Sequence, residues 1–145
     1  MNILHISAEC FPIAKVGGLA DVVGALPKYQ KEIGATSNVV MPFYNNKFTQ
    51  SNNFEKIYEN HIALGHEYYN FKVHKLVDTK LGFDIYFIDI PSLLYKDYVY
   101  SNDDTKRFLA FQIATLDWFL TFEQKPDIIH THDHHTGLIP FMMSH

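Results

Sequence analysis

The sequence predicts an α/β protein with a mostly parallel sheet and a β-hairpin insertion. Three observations carry this expectation. Residues 2–41 read as strand, glycine loop, helix, strand, the βαβ order that imposes parallel pairing. Residues 127–143 repeat the order strand, loop, helix. Between these units, two strand-like segments flank Gly65-His66-Glu67, as the arms of a hairpin do.

Asn2 to Ser7 is apolar and ends in small and polar residues, so it reads as a short strand. The loop Ala8 to Gly18 carries Pro12 and the pair Gly17-Gly18. Leu19, Val22, Val23, Leu26 and Ile33 then recur at helical spacing, with Asp21 in the first turn and Gly34 past the end. Pro27 is the one residue that opposes this helix, because it lacks an N–H and crowds the preceding turn. Ser37 to Met41 is a second strand, expected to stop at Pro42. Phe43 to Asn53 reads as a polar loop, and Glu55–Leu64 and Tyr68–Val77 as the hairpin. Phe83–Ile88 is an apolar strand, and Ser92–Asp104 a polar, tyrosine-bearing loop. Asp103 or Asp104 is placed to cap a helix over 105–123, apolar on most faces and so expected to be deeply buried. Asp127–Thr131 is a further parallel-type strand, and Gly137–Met143 starts a helix.

At 145 residues the chain suits one domain and is too short for an α/β barrel, which takes about 250. With 47% hydrophobic and 19% charged residues it is not a disordered segment. Twelve basic against 16 acidic side chains leave a net charge of −4, which argues against a nucleic-acid partner. Cys10 is the single cysteine, so no internal disulfide forms. The apolar stretch 108–122 is interrupted by Gln112 and Asp117 and falls short of the roughly 20 residues that span a bilayer. The expectation is a cytoplasmic protein with no membrane partner.

Two loops carry chemistry. In Lys15-Val16-Gly17-Gly18-Leu19-Ala20-Asp21, glycines allow close backbone approach, free N–H groups at a helix start attract anions, and a lysine adds a mobile positive charge. This pattern fits a nucleotide diphosphate or a sugar phosphate; a plain turn with a solvated lysine fits it as well. No P-loop is present, and Pro42-Phe43-Tyr44-Asn45 stands where a nicotinamide-binding unit needs an acid. Glu9 and Asp21 are placed to pair with Lys15 or to bind a sugar hydroxyl; an acid at position 21 also complements the helix dipole.

The second loop is His130-Thr131-His132-Asp133-His134-His135. It approaches the H-x-H-x-D-H pattern of binuclear hydrolases, but Asp133 sits one place early, which turns the carboxylate to the other side of an extended segment. A strand-end crevice that hydrogen-bonds a polyol is the alternative, and a packed histidine core is the third. Open α/β sheets bind ligands at the carboxyl ends of their strands, where both loops fall.

Taken together, Ile3-Leu4-His5-Ile6-Ser7-Ala8-Glu9-Cys10-Phe11-Pro12, the Lys-Val-Gly-Gly loop through Pro27, and Pro126-Asp127-Ile128-Ile129-His130-Thr131-His132-Asp133-His134-His135-Thr136-Gly137-Leu138 resemble the N-terminal domain of bacterial glycogen synthases and plant starch synthases. Tryptophan usually fills the slot of His134 in that family, and the glycine-containing loop is shortened here to Ser92–Asn102. The resemblance covers essentially the whole chain.

The resemblance implies the N-terminal half of a GT-B enzyme, two Rossmann-like domains facing across a cleft. Such enzymes are retaining glucosyltransferases that move glucose from ADP-glucose to the non-reducing end of an α-1,4-glucan. By the same resemblance Lys15 contacts the donor, Gly17 and Gly18 lie beneath its diphosphate, and Asp21 belongs to the same neighbourhood. Asp133 lines the sugar and acceptor crevice, with Glu9, His132 and His134 as further candidates. No metal and no cofactor are implied. The C-terminal domain with the nucleotide pocket is expected to be absent from this chain, which alone is expected to bind donor weakly and to turn over negligibly. Two other readings remain at this point: a non-catalytic glucan- or nucleotide-sugar-binding module, and a metal-dependent hydrolase using the histidine cluster.

Overall fold

The computed structural model describes residues 1–77 and 80–144. Six strands form one sheet: β1 (Asn2–Ile6), β2 (Thr36–Pro42), β3 (Phe54–Leu64), β4 (Glu67–Leu76), β5 (Ile85–Asp89) and β6 (Ile128–Thr131). Their spatial order is β3-β4-β5-β2-β1-β6. β6, β1, β2 and β5 are parallel, while β4 runs antiparallel to both β5 and β3. The hairpin therefore extends the parallel sheet as two more strands.

Helices cover both faces. α1 (Gly18–Glu32) lies on one, with Val23 packed among Val39, Met41, Ile85 and Phe87. α3 (Asp104–Phe119) lies on the other, where Phe111, Ala114 and Trp118 meet Leu4, Ile6, Val40 and Ile88. Alternate residues of β2 thus serve opposite cores, Val40 one and Val39 and Met41 the other, as period-2 side chains must.

Several expectations shift. β2 ends at Pro42 but includes it: Pro42 pairs with Ile88, and Phe43 N–H donates to the Ile88 carbonyl, so proline omits one ladder bond. Pro27 sits inside α1 at a buried position without ending it. The asparagine-rich loop contains a short helix, α2 (Lys47–Ser51), started by a reciprocal cap in which the Asn46 side chain accepts from Thr49 N–H and Thr49 Oγ1 accepts from Asn46 N–H. α3 ends at Phe119, four residues short of Glu123, because Lys125 Nζ folds back onto the carbonyls of Phe119, Leu120 and Phe122. After β6 a 3₁₀ turn (His134–Thr136) precedes α4 (Leu138–Met143).

No helix among the described residues is long and apolar enough to cross a membrane.

Candidate functional site

The loop after β1 closes on a buried carboxylate. Glu9 is 3% exposed, and its Oε1 accepts from Val16 N–H at 2.6 Å and Gly17 N–H at 3.0 Å. Ser7 Oγ fixes the backbone of Glu9 from both sides, accepting from its N–H and donating to its carbonyl. The Tyr44 hydroxyl donates to the Ala8 carbonyl at 2.7 Å. This corrects one expectation: the Gly17 amide is not free at the helix start, because an anion belonging to the protein already occupies it. A carboxylate there satisfies two backbone donors that would otherwise be orphaned.

Gly17 and Gly18 open onto space, since a Cβ at either would meet nothing within 4 Å. Gly24 differs. A Cβ there would lie 2.5 Å from the Phe11 carbonyl oxygen, so the first loop rests directly on the backbone of α1. Lys15 Nζ binds both oxygens of Asp21, at 3.0 and 2.8 Å, and both side chains are about half exposed. Such a pair contributes about 0–1 kcal/mol, so Lys15 can leave Asp21 for another anion at little cost.

The loop after β6 lies beside the first because β6 pairs with β1. Tyr100 joins the two. Its hydroxyl donates to Glu9 Oε2, and its ring stacks on His135 with centroids 4.7 Å apart. Burial and the Glu9 carboxylate push the Tyr100 hydroxyl far above the usual phenol range, so it remains a donor. His135 is itself buried, and its Nδ1 has no hydrogen-bond partner among the described residues. Burial, with His134 beside it, lowers the pKa of His135.

Asp133 is exposed and adopts φ 64°, ψ −179°, a region that side chains other than glycine rarely enter. Its Oδ1 accepts from His134 N–H at 2.8 Å and meets His134 Nδ1 at 3.1 Å. These bonds lower its pKa, so it presents a carboxylate at neutral pH. Strain of this kind costs about 1–3 kcal/mol. Asp133→Gly and Asp133→Ala both lose the bonds to His134, but only glycine relieves the backbone. Asp133→Gly is therefore expected to be more stable than Asp133→Ala by about 1 kcal/mol or more, read from urea midpoints at constant slope. Equal midpoints would mean the turn is unstrained.

His132 is not brought to this crevice. Its Nε2 lies 2.9 Å from His5 Nδ1, and its ring stacks on His130. Burial, together with His130 and His5, lowers its pKa to about 4. His134 stays at the surface over His135. A cavity of 290 Å³ lined by Asp104, Phe108, Gln112, His134 and His135 adjoins the second loop. A larger hollow of 510 Å³ lies over the hairpin, beside Glu59, Asn70 and Asp89. It contains none of the residues of the two loops, and the perturbed groups converge elsewhere. Two sets of side chains have metal-ligand spacing among the described residues: Asp133 with His134 and His135, and His5 with His130 and His132.

Sequence reasoning passed over Tyr100, Gly24 and His5. Tyr100 was visible only as one tyrosine of several in a polar loop, and His5 only as an interruption in a strand.

The sequence pattern of the starch synthase catalytic domain matches residues 2–145. The chain belongs to the starch synthase catalytic domain family. This family assignment displaces the hydrolase reading of the histidine cluster. Family relatives include the glycogen synthase of Flavobacterium johnsoniae, 54% identical over 144 residues that make up 99% of this chain and 30% of that protein. The glycogen synthase of Streptococcus agalactiae serotype Ia is 39% identical over 148 residues, again 99% and 30%. Among solved structures, the catalytic domain of starch synthase IV from Arabidopsis thaliana bound to ADP and acarbose superposes with a TM-score of 0.83 at 30% identity, over 95% of this chain and 29% of that one. The chain thus spans about 30% of the length of the curated relatives it matches.

Proposed function

We propose that this chain is the N-terminal domain of a GT-B retaining glucosyltransferase that moves glucose from ADP-glucose to the non-reducing end of an α-1,4-glucan. The observation that carries the reading is the junction of the two loops after β1 and β6, where Tyr100 links Glu9 of the glycine loop to His135 of the histidine loop. The match to glycogen synthases supports it, as does the likeness to a starch synthase domain bound to ADP and acarbose.

Each loop has a role. In the transfer, the bond from glucose C1 to the diphosphate breaks, a bond from C1 to an acceptor hydroxyl oxygen forms on the same face, and ADP leaves with the proton that the hydroxyl gives up. Lys15 exchanges Asp21 for the diphosphate and neutralises charge that grows as ADP departs. Gly17 and Gly18 leave the space the diphosphate enters. Glu9 holds the loop in shape rather than contacting the phosphate. Asp133 and His134 face the sugar side as exposed hydrogen-bonding groups, and the strained Asp133 turn holds the carboxylate outward. A second domain supplies the remaining nucleotide contacts, so the isolated chain binds donor weakly and transfers negligibly. No metal or cofactor enters the transfer.

A chimaera tests this. This chain replaces the matching N-terminal segment of the Flavobacterium johnsoniae glycogen synthase, and incorporation of glucose from labelled ADP-glucose into glycogen is measured. The chimaera is expected to transfer glucose while the chain alone does not. A folded chimaera that binds donor and glucan without transfer would instead make this domain a binding module.

A further inference from the structure

His5 lies in the middle of β1, in register with His130 of β6. His132, two residues on, projects to the same side. The three rings form a close triangle: 4.0 Å between the centroids of His130 and His132, 5.1 Å between His5 and His130, and 5.2 Å between His5 and His132. Three imidazoles gathered on one face, two of them buried, are more than the packing of a strand edge calls for.

The hydrogen bonds give this cluster a direction. Gln30 Oε1 is a carbonyl oxygen that accepts from Ser37 Oγ at 2.7 Å, and His5 Nε2 lies 2.7 Å from the same atom. Nε2 of His5 therefore carries the proton, and its Nδ1 presents a lone pair toward His132 Nε2 at 2.9 Å. An imidazole whose second N–H is anchored on a carbonyl oxygen, so that ring and tautomer are fixed, is the usual state of a metal-binding histidine. The ligand nitrogens of all three residues lie within 4.8 Å of one another. A tetrahedral ion with metal–nitrogen bonds of about 2.0–2.1 Å needs its nitrogens about 3.4 Å apart, within reach of small ring rotations. His130 is exposed, so solvent reaches the fourth position.

We propose that His5, His130 and His132 form a binding site for one divalent transition metal ion of the zinc class, held by three imidazoles and a water. Imidazole ligands select zinc, nickel or cobalt over magnesium or calcium. On binding, His132 carries its proton on Nδ1 rather than Nε2, so it stays neutral and its Nε2 lone pair turns to the metal. The ion ties β6 to β1 and stiffens the start of the histidine loop. The site is distinct from the glucosyl-transfer crevice and does not rest on that reading.

The test uses the whole chain, freed of metal by chelator and then titrated with zinc chloride in a calorimeter. One equivalent is expected to bind. At a hundredfold excess over Kd the melting temperature is expected to rise by about 5–10 °C. His130→Ala removes an exposed ligand and spares the bonds among His5, Gln30 and Ser37. It is expected to weaken binding at least tenfold and to abolish the thermal shift. His134→Ala is expected to keep both. Cobalt is expected to give the intense visible bands of a four-coordinate ion, lost in His130→Ala. No stoichiometric binding, or binding unchanged in His130→Ala, overturns the proposal. Binding lost in His134→Ala and kept in His130→Ala overturns it too, and moves the ion to the Asp133 cluster.

Discussion

Lys15→Ala in the chimaera is expected to lower turnover more than tenfold, a loss of over about 1.4 kcal/mol of transition-state stabilisation. In the proposed transfer the side chain reaches the donor only after leaving Asp21, and the charge it meets there is greatest when the diphosphate departs. Its loss should therefore fall on kcat more than on KM. The same substitution is expected to change folding stability by less than about 0.5 kcal/mol, because the pair it breaks is half exposed. Asp21→Ala separates two roles for the acid. If Asp21 only parks the lysine, activity falls far less than in Lys15→Ala; an equal fall would make Asp21 a donor-binding group in its own right. Unchanged kinetics in Lys15→Ala would remove the lysine from the site.

Gly24→Ala is expected to show the reverse pattern, a large loss of stability arising away from the crevice. The new Cβ would lie 2.5 Å from the Phe11 carbonyl and 3.2 Å from the Phe11 Cβ. Neither neighbour yields easily: one is backbone, and Phe11 N–H is already bonded to the Ala20 carbonyl at 2.9 Å. Overpacking of this kind costs about 1–3 kcal/mol. The urea midpoint should fall accordingly, and the displaced loop carries Glu9 and Lys15 with it. Gly18→Ala is the control. Its Cβ meets nothing within 4 Å, so no loss of stability is expected. Equal midpoints for the two variants would show that the loop does not rest on α1.

These two variants mark what was legible in the sequence and what was not. Lys15 and its glycines were legible because a local pattern, strand then glycine then helix, fixes where they lie relative to a helix start. The parallel order was legible for the same reason: a βαβ unit leaves little freedom in handedness or pairing. Gly24 was not legible, since its need for hydrogen in place of a side chain arises from Phe11 across a tertiary contact. Nor was the role of Glu9. Sequence placed it as a partner for Lys15 or for a sugar hydroxyl, whereas geometry gives it two backbone amides and a phenol 91 residues away. His132 illustrates the same limit. Adjacent to Asp133 in the chain, it was grouped with it, but the alternation of an extended segment turns the two side chains apart, and its partner is on β1. The short α2 was missed because its signal, Asn46 with Thr49, is a cap without the apolar periodicity that announces longer helices.

The strand order has a consequence for how the chain is made. β1 leaves the ribosome ahead of the other five strands and finds β2 within about forty residues, but its other neighbour, β6, begins only at Ile128. At synthesis rates of about 5–20 residues per second, the open side of β1 waits roughly 4–17 seconds after β2 is complete. Through that interval the carbonyls of Asn2 and Ile6, which later accept from the N–H groups of Asp127 and His132, lie bare on a nascent edge that needs shelter during translation.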